Sequence, residues 1–539
     1  MPCSYFFFAE FFIRTFRAFL RFFVGQCRGI WLARQTPNAT WRVCAARAWG
    51  LGQAGLGWAE PRAPRAGAGP TRCARRRGCL LARDSFPYAP PPPPLSPLHP
   101  SPGPPARHPA CARAPIAGLP AAAMQRLRCV AQNYAWGRRA AEGSAVARLA
   151  AAQAGEAADG AAPYAELWMG AHPSGMSTVA DGGVPLAEWI ESFPGGAAAA
   201  LGEAVAKRWG GKLPMLFKVL SVAKALSIQS HPDKALAERL HAERPNVYKD
   251  DNHKPEMTLA VEPFEALCGF VAHEELRAAL AATPEFAEVV GAENAAAAAA
   301  AAGDADAETA ALKACFAAAM TAVDDVRVRT IRALRARLAA APEGSLSPKE
   351  RLFLRLYEQY PDDIGTMAVF FLNFVTLETG EGLYLGANEP HAYLSGQCVE
   401  CMATSDNVVR AGLTPKLRDT DVLCSSLTYR TGAPHVLRGE AVDACKRLYA
   451  VPAPTDEFEV AAVTVAPGGT YDLAPNAGPQ LVLAFGGSGI AAPVGGEPLA
   501  VGEGTVFFVP AGVAVGLTAA AGDAALVLYT CAVSSRVFE

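Results

Sequence analysis

Two stretches decide the reading of this chain. Glu381-Gly382-Leu383-Tyr384-Leu385 leads to Ala387 and Pro390-His391, and Glu503-Gly504-Thr505-Val506-Phe507-Phe508 leads to Pro510-Ala511-Gly512-Val513. Each is a tight Gly turn, an apolar strand, then a Pro-containing turn into another strand. Two copies of a small antiparallel barrel read this way. No His occurs after His435. If the barrels are duplicates, only the first can hold a histidine-bound metal, and the second is scaffold.

Outward from these stretches the chain changes character twice. From Lys212 to Phe270, short apolar runs are punctuated by His-Pro, Lys-Pro and Glu-Pro turns, which is strand-and-turn sequence. From His273 to about Tyr360, Ala, Leu, Glu and Arg recur at helical spacing, with Leu334 and Leu338 on one face and Leu352 and Leu356 on another. The eight-alanine tract Ala295 to Ala302 reads as an expanded connector. From Met367 the strands return. A β-body interrupted by a helical insertion is the expected architecture.

The first 123 residues are a different kind of sequence. They carry 16 Arg, no Lys and only Glu10, Glu60 and Asp84 as acids, a balance of +13, and 19 of the 43 prolines. The remainder holds 33 basic against 48 acidic residues, a balance of -15. Apolar runs between Tyr5 and Ile30 are broken by Glu10, Arg14, Arg17, Arg21 and Arg28, so none approaches the ~20 residues of a membrane span. Nor is there the charge-free centre of a secretory signal. An Arg-rich, acid-poor leader fits an organelle transit peptide in composition, and translation starting at Met124 is the alternative. The first gives a plastid or mitochondrial location, the second a cytoplasmic one. Either way residues 1–123 are expected to be disordered.

A net charge of -2 argues against a generally cationic, nucleic-acid-binding surface. Fourteen cysteines without framework spacing indicate reduced thiols. Cys398 and Cys401 spell C-x-x-C, but without a second pair they read as strand thiols.

The densest polar cluster is Ser227-Ile228-Gln229-Ser230-His231-Pro232-Asp233-Lys234. On a strand Ser227, Gln229 and His231 share a face. Pro232 ends the strand, and Asp233 can open the helix suggested by Ala235 to Leu240. His253-Lys254-Pro255-Glu256 follows, and later Asn388-Glu389-Pro390-His391. Two histidines, a carboxylate and a side-chain amide make a site for a divalent ion, zinc first. The alternative is a set of turn-capping polar residues with no metal, and spacing alone does not bring His391 to His231.

These motifs, with Met257, Ala392-Tyr393, Ser405-Asp406-Asn407, Asn133-Tyr134-Ala135-Trp136-Gly137, Ala165-Glu166-Leu167-Trp168-Met169-Gly170 and Arg410-Ala411-Gly412-Leu413-Thr414-Pro415-Lys416, resemble type I phosphomannose isomerases. They occur in that family's order from about Gln125 to the C-terminus. Ala135 departs from the family, where an acid is common. The resemblance implies a mainly β fold of tandem cupin (jelly-roll) barrels with an inserted α-helical domain. The expected divisions are a catalytic barrel over 124–270 and 366–445, a helical domain over 271–365 and a metal-free barrel over 446–539.

It also implies a zinc-dependent aldose–ketose isomerase that interconverts mannose 6-phosphate and fructose 6-phosphate, feeding GDP-mannose synthesis. The implied ligands of one Zn2+ per chain are Gln229, His231, Glu256 and His391. Lys254, Glu400 and Arg410 are the implied catalytic residues, with Lys218, Ser227, Tyr393 and Asp406 binding substrate. Lys254, close to the metal, is the first choice of C1/C2 base and Glu400 the rival, while Arg410 suits the phosphate or developing charge. Lys218, isolated among apolar residues, has a surface-snorkelling alternative. A small-molecule phosphosugar, no nucleic acid, no membrane span and a monomeric state complete the expectation. A cupin oxygenase, which also uses two histidines and a carboxylate, and a non-catalytic phosphosugar-binding cupin are the competing classes.

Overall fold

The computed structural model describes residues 124–539 except Glu343 and Asp523; the extension expected over 1–123 lies outside the described residues. The described chain is mainly β, with eight-, eleven-, four- and two-stranded sheets whose strand pairings are antiparallel. A helical insertion interrupts it, as the sequence pattern suggests. It leaves the strand Phe264–Phe270 and returns in Leu372–Leu377, two strands paired with each other.

Among the described residues the insertion has six α-helices, His273–Ala282, Pro284–Val290, Ala292–Ala300, Ala305–Met320, Asp324–Ala339 and Pro348–Gln359, followed by the 3-10 helix Ile364–Phe370. Local chemistry starts several of them. Asp304 accepts the amides of Asp306 and Ala307, and Ser347 with Glu350 forms a capping box ahead of Pro348. Phe286, Phe316, Phe353 and Phe371 fill the common core. The alanine tract is not a connector. It is helical, because alanine has the lowest intrinsic cost of any residue in a helix, and Ala298 and Ala301 are buried against this core.

Strand alternation sorts the first barrel's side chains. On Met215–Val222, Leu216, Lys218 and Leu220 line the barrel's cavity, while Phe217 and Val219 enter an apolar layer shared with the second barrel. Glu166 and Trp168 against Leu167 and Met169 repeat the pattern.

The long strand His391–Ala403 holds two sheets together. Its first residues pair with Phe264–Phe270 and Ile228–Ser230, and from Gly396 onward it pairs with Met215–Val222 and Glu256–Ala260. The switch falls at Gly396, where φ is +109°; a Cβ there would lie 2.5 Å from the Pro263 carbonyl oxygen. Just before it the pairing with Phe264–Phe270 skips Leu394, since Glu265 faces Ser395 but Ala266 faces Tyr393; this bulge reverses the alternation, so Tyr393 before it and Glu400 and Met402 after it all line the cavity.

The second barrel is filled rather than hollow. Val463, Leu473, Val482, Phe507, Leu517 and Leu528 form its packed interior. Its outer face meets the first barrel through Leu481, Phe508 and Cys531. Gln125–Arg128, the first strand of the described chain, pairs with Val506–Val509 of this second barrel.

Candidate active site

The cavity of the first barrel measures about 610 Å³. At one side of it His231, Glu256 and His391, all buried, bring one donor atom each within 4.8 Å of the others. His231 ends the short strand Ile228–Ser230, after which Asp233 caps the helix Lys234–Glu243 by accepting the Leu236 amide. Glu256 opens the strand Glu256–Ala260, and His391 opens His391–Ala403. Cross-strand register puts His391 opposite Gln229, which answers the question that spacing left open.

The tautomers follow from the partners. His231 Nδ1 lies 2.8 Å from the Asn407 carbonyl oxygen, and His391 Nδ1 lies 3.0 Å from that of Glu389. A carbonyl only accepts, so each Nδ1 carries the proton and each Nε2 turns a lone pair inward. His231 Nε2 is 3.3 Å and His391 Nε2 3.0 Å from Glu256 oxygens. Lone pairs and a carboxylate converging on one space form a donor set that a divalent cation would fit. Two imidazole nitrogens and a carboxylate, each imidazole held by a carbonyl behind it, suit zinc. The Gln229 amide borders the same space: its Nε2 is 3.5 Å from His391 Nε2, and its Oε1 accepts from Ser227 Oγ at 3.0 Å. Turning the amide over would offer its oxygen instead.

Lys254 donates to Glu256 and to His231 Nε2. Burial alone would raise the Glu256 carboxyl, but the Lys254 ammonium beside it outweighs this and holds Glu256 well below the usual carboxylate range. Burial, with Lys254 adding to it, pushes His231 down to about 4, so its imidazole is neutral at physiological pH. Tyr393 directs its O–H toward Glu256 at 3.5 Å.

Lys218 does not snorkel. It is 6% exposed, donates to Glu400 at 2.9 Å and lies 3.4 Å from Glu166. Burial opposes its charge, but these two carboxylates prevail and raise it above its ordinary value. Burial raises Glu400 in turn, against the pull of Lys218. Trp168 donates to Glu166 and takes Lys218 against its ring.

Ser227, Asp406 and Arg410 also line the cavity. Asp406 stands at its exposed edge, 3.4 Å from His172 Nε2, and its amide is held by Asp250. Burial lowers the Arg410 guanidinium with only Tyr248 opposing it.

Sequence reasoning left out several cavity residues: His172, Lys224, Tyr360, Trp168, Glu166 and Lys416. Glu166, Trp168 and Lys416 sat in quoted motifs without a role. For His172, Lys224 and Tyr360 nothing in composition or spacing pointed to the cavity. The cavity thus holds a donor set for one divalent ion, titratable groups beside it, and cations along its wall. Among the described residues, Lys224, Arg410 and Lys416 have no carboxylate within ion-pair distance. That arrangement accommodates a polyhydroxylated anion with its oxygens near the ion.

Comparison with known proteins gives a consistent picture. A family model for the phosphomannose isomerase type I catalytic domain matches residues 124–273, and one for the helical insertion domain of the same family matches 289–372. Mannose-6-phosphate isomerase 2 of Arabidopsis thaliana is 44% identical over 429 residues, which span 77% of this chain and 95% of that protein. The Schizosaccharomyces pombe mannose-6-phosphate isomerase is 39% identical, over 72% of this chain and 95% of that one. A crystal structure of a mannose 6-phosphate isomerase bound with zinc and yttrium superposes with a TM-score of 0.64 at 30% identity, covering 76% of this chain and 99% of that one.

Proposed function

The chain belongs to the type I phosphomannose isomerase family, and on that footing we propose that it interconverts mannose 6-phosphate and fructose 6-phosphate with one zinc ion, feeding GDP-mannose synthesis. The observation that carries the zinc reading is the inward-facing pair of imidazole lone pairs on either side of Glu256. His231, Glu256 and His391 would hold the ion, with Gln229 as a fourth, weaker donor. Bound there, zinc supplies Lewis acidity and charge stabilisation to the substrate's C1 and C2 oxygens.

The chain's own residues divide the remaining work. One proton leaves C2 of the aldose and is returned to C1, through an enediolate, while a second moves between the two oxygens; no electrons enter or leave overall. We assign the carbon-bound proton to Lys254, with Glu400 as the alternative base. Glu400 gains proton affinity from burial, which suits a group that gives a proton back. Arg410, with Lys224 and Lys416 also lining the cavity, meets the phosphate or developing charge. Lys218 keeps Glu400 in place and adds positive charge, while Ser227, Tyr393 and Asp406 meet the sugar hydroxyls.

The test is formation of fructose 6-phosphate from mannose 6-phosphate by the full chain, before and after chelation, with zinc added back. Activity lost on chelation and restored by zinc is expected. Zinc-loaded, folded protein that leaves mannose 6-phosphate unchanged would exclude the reading. Iron dependence with oxygen uptake would turn it toward an oxygenase. Lys254→Met separates the two bases. It should keep the zinc and lower kcat by ~10²–10⁴-fold, the usual worth of a general base. A rate near that of the unsubstituted enzyme would transfer the role to Glu400.

A further inference from the structure

The helical insertion ends in Gln359–Asp363, a segment that grips the cavity wall from two sides. On one side Gln359 accepts the Ala225 amide at 2.9 Å, and the Tyr360 hydroxyl donates to the Ala225 carbonyl at 2.6 Å. The neighbouring Lys224 ammonium lies 4.1 Å from the centre of the Tyr360 ring.

On the other side a single carboxylate does the holding. Asp363 Oδ1 accepts the amides of Leu413 at 2.8 Å and Gly365 at 2.7 Å, and Oδ2 accepts that of Thr414 at 3.2 Å. Leu413 has φ +53°, a left-handed conformation that a branched side chain disfavours and that persists only when its surroundings impose it.

Two glycines allow this approach. A Cβ on Gly365 would lie 2.5 Å from the Leu413 nitrogen, and one on Gly412 2.6 Å from Gly365 Cα and 2.9 Å from Asp363 Oδ1. Leu413, Thr414, Pro415 and Lys416 all line the cavity, whereas Asp363 lies behind them. Farther along, Arg418 ties the chain back to the Ala411 carbonyl at 2.7 Å and to the Met320 carbonyl of the insertion.

We propose that Asp363 is a positioning residue for phosphate recognition: by fixing Leu413 in its left-handed turn it holds Thr414–Lys416 in the cavity wall, so that the helical insertion sets the geometry of the anion-binding loop. The inference rests on the isomerase reading above. It gives the insertion a task beyond packing, since a carboxylate at its very end shapes a loop that carries a cation toward substrate.

The phosphate keeps its bonds and charge through the reaction, so a loosened anion-binding loop is expected to act first on substrate binding. Losing contacts to the phosphate raises KM and leaves kcat nearly unchanged. A merely structural defect does the reverse, reducing the active fraction and hence apparent kcat at constant KM.

The experiment uses the full, zinc-loaded chain carrying Asp363→Ala and, separately, Asp363→Asn, which keeps the size and one acceptor. KM for mannose 6-phosphate should rise by at least ~10-fold in the Ala variant and less in the Asn variant, with kcat within ~3-fold. Inhibition by inorganic phosphate should weaken by a matching factor. An unchanged KM and unchanged phosphate inhibition in both variants would overturn the inference while the isomerase reading stands. Failure of both variants to fold would also overturn it, by making Asp363 a residue of the fold alone. An inactive unsubstituted enzyme would remove both readings together.

Discussion

Replacing Glu256 with Gln should abolish the proposed zinc binding and the turnover in one step. The substitution keeps the side chain's size and exchanges a charged oxygen for an amide at the point where His231 and His391 converge. Loss of an outer-shell partner costs ~10–100-fold in metal affinity, and loss of a direct anionic ligand should exceed that. A drop of at least ~10³-fold in kcat/KM is expected, equivalent to ~4 kcal/mol of transition-state stabilisation. The change also strips Lys254 of its buried counter-charge, and breaking a buried pair from one side costs ~3–5 kcal/mol. Thermal stability should therefore fall as well, and by more in the zinc-free protein than simple metal loss explains. Zinc content after dialysis, kcat/KM and the unfolding temperature form the three readouts. Stoichiometric zinc with an unaltered rate would show that the ion, if bound, sits elsewhere.

Gly396→Ala is expected to be nearly as damaging, although residue 396 carries no chemistry. At φ +109° a β-carbon is strained in any surroundings, and here it would meet the Pro263 oxygen at 2.5 Å and Phe264 Cα at 2.8 Å. Backbone strain of ~1–3 kcal/mol adds to overpacking of ~1–3 kcal/mol, a large share of the ~5–15 kcal/mol that holds a typical native state together. The strand can escape only by regularising, and regular alternation would carry Glu400 out of the cavity. The expected result is a markedly lower unfolding temperature and, in the folded fraction, loss of turnover greater than loss of zinc, since the ligands precede the bend. A variant with unchanged unfolding temperature and full activity would show that the switch between sheets does not depend on glycine.

The same bend shows where sequence reading stops. Alternation put Ser227, Gln229 and His231 on one face; Ser227 and Gln229 do line the cavity, whereas His231, just past the strand Ile228–Ser230, is buried against Glu256. Applied to His391 and Glu400, nine residues apart, it would send them to opposite faces. Only the irregularity over Leu394–Gly396 brings both to one cavity, and neither an ordinary leucine nor a lone glycine in a strand announces a bulge. Lys218 was ambiguous for a related reason. An isolated lysine among apolar residues looks like a snorkelling side chain until Glu166 and Glu400, far away in sequence, are found beside it.

The helical insertion was legible in kind, from Leu334 and Leu338 and from Leu352 and Leu356 at helical spacing. Its alanine tract was misread because a run of one small residue carries no periodicity at all. Tyr360 and Asp363 were invisible as contributors to the site: their importance lies in what they hold, and holding leaves no motif. The donor set itself was readable in kind, though its assembly depended on a cross-strand register, Gln229 against His391, that spacing does not encode.

The pairing of Gln125–Arg128 with Val506–Val509 has a consequence for how the protein is made. Leu127 and its partner Val506 are 379 positions apart. At ~5–20 residues per second of ribosomal elongation, the first of these strands waits roughly 20–75 s for the second to emerge. During that interval its edge is unsatisfied and the apolar layer it helps to close is open to water. The second barrel therefore takes a strand from the start of the described chain but cannot close until Val506–Val509 has been made. Until then the apolar layer that holds Leu127 beside Val506 and Phe508 stays open to water.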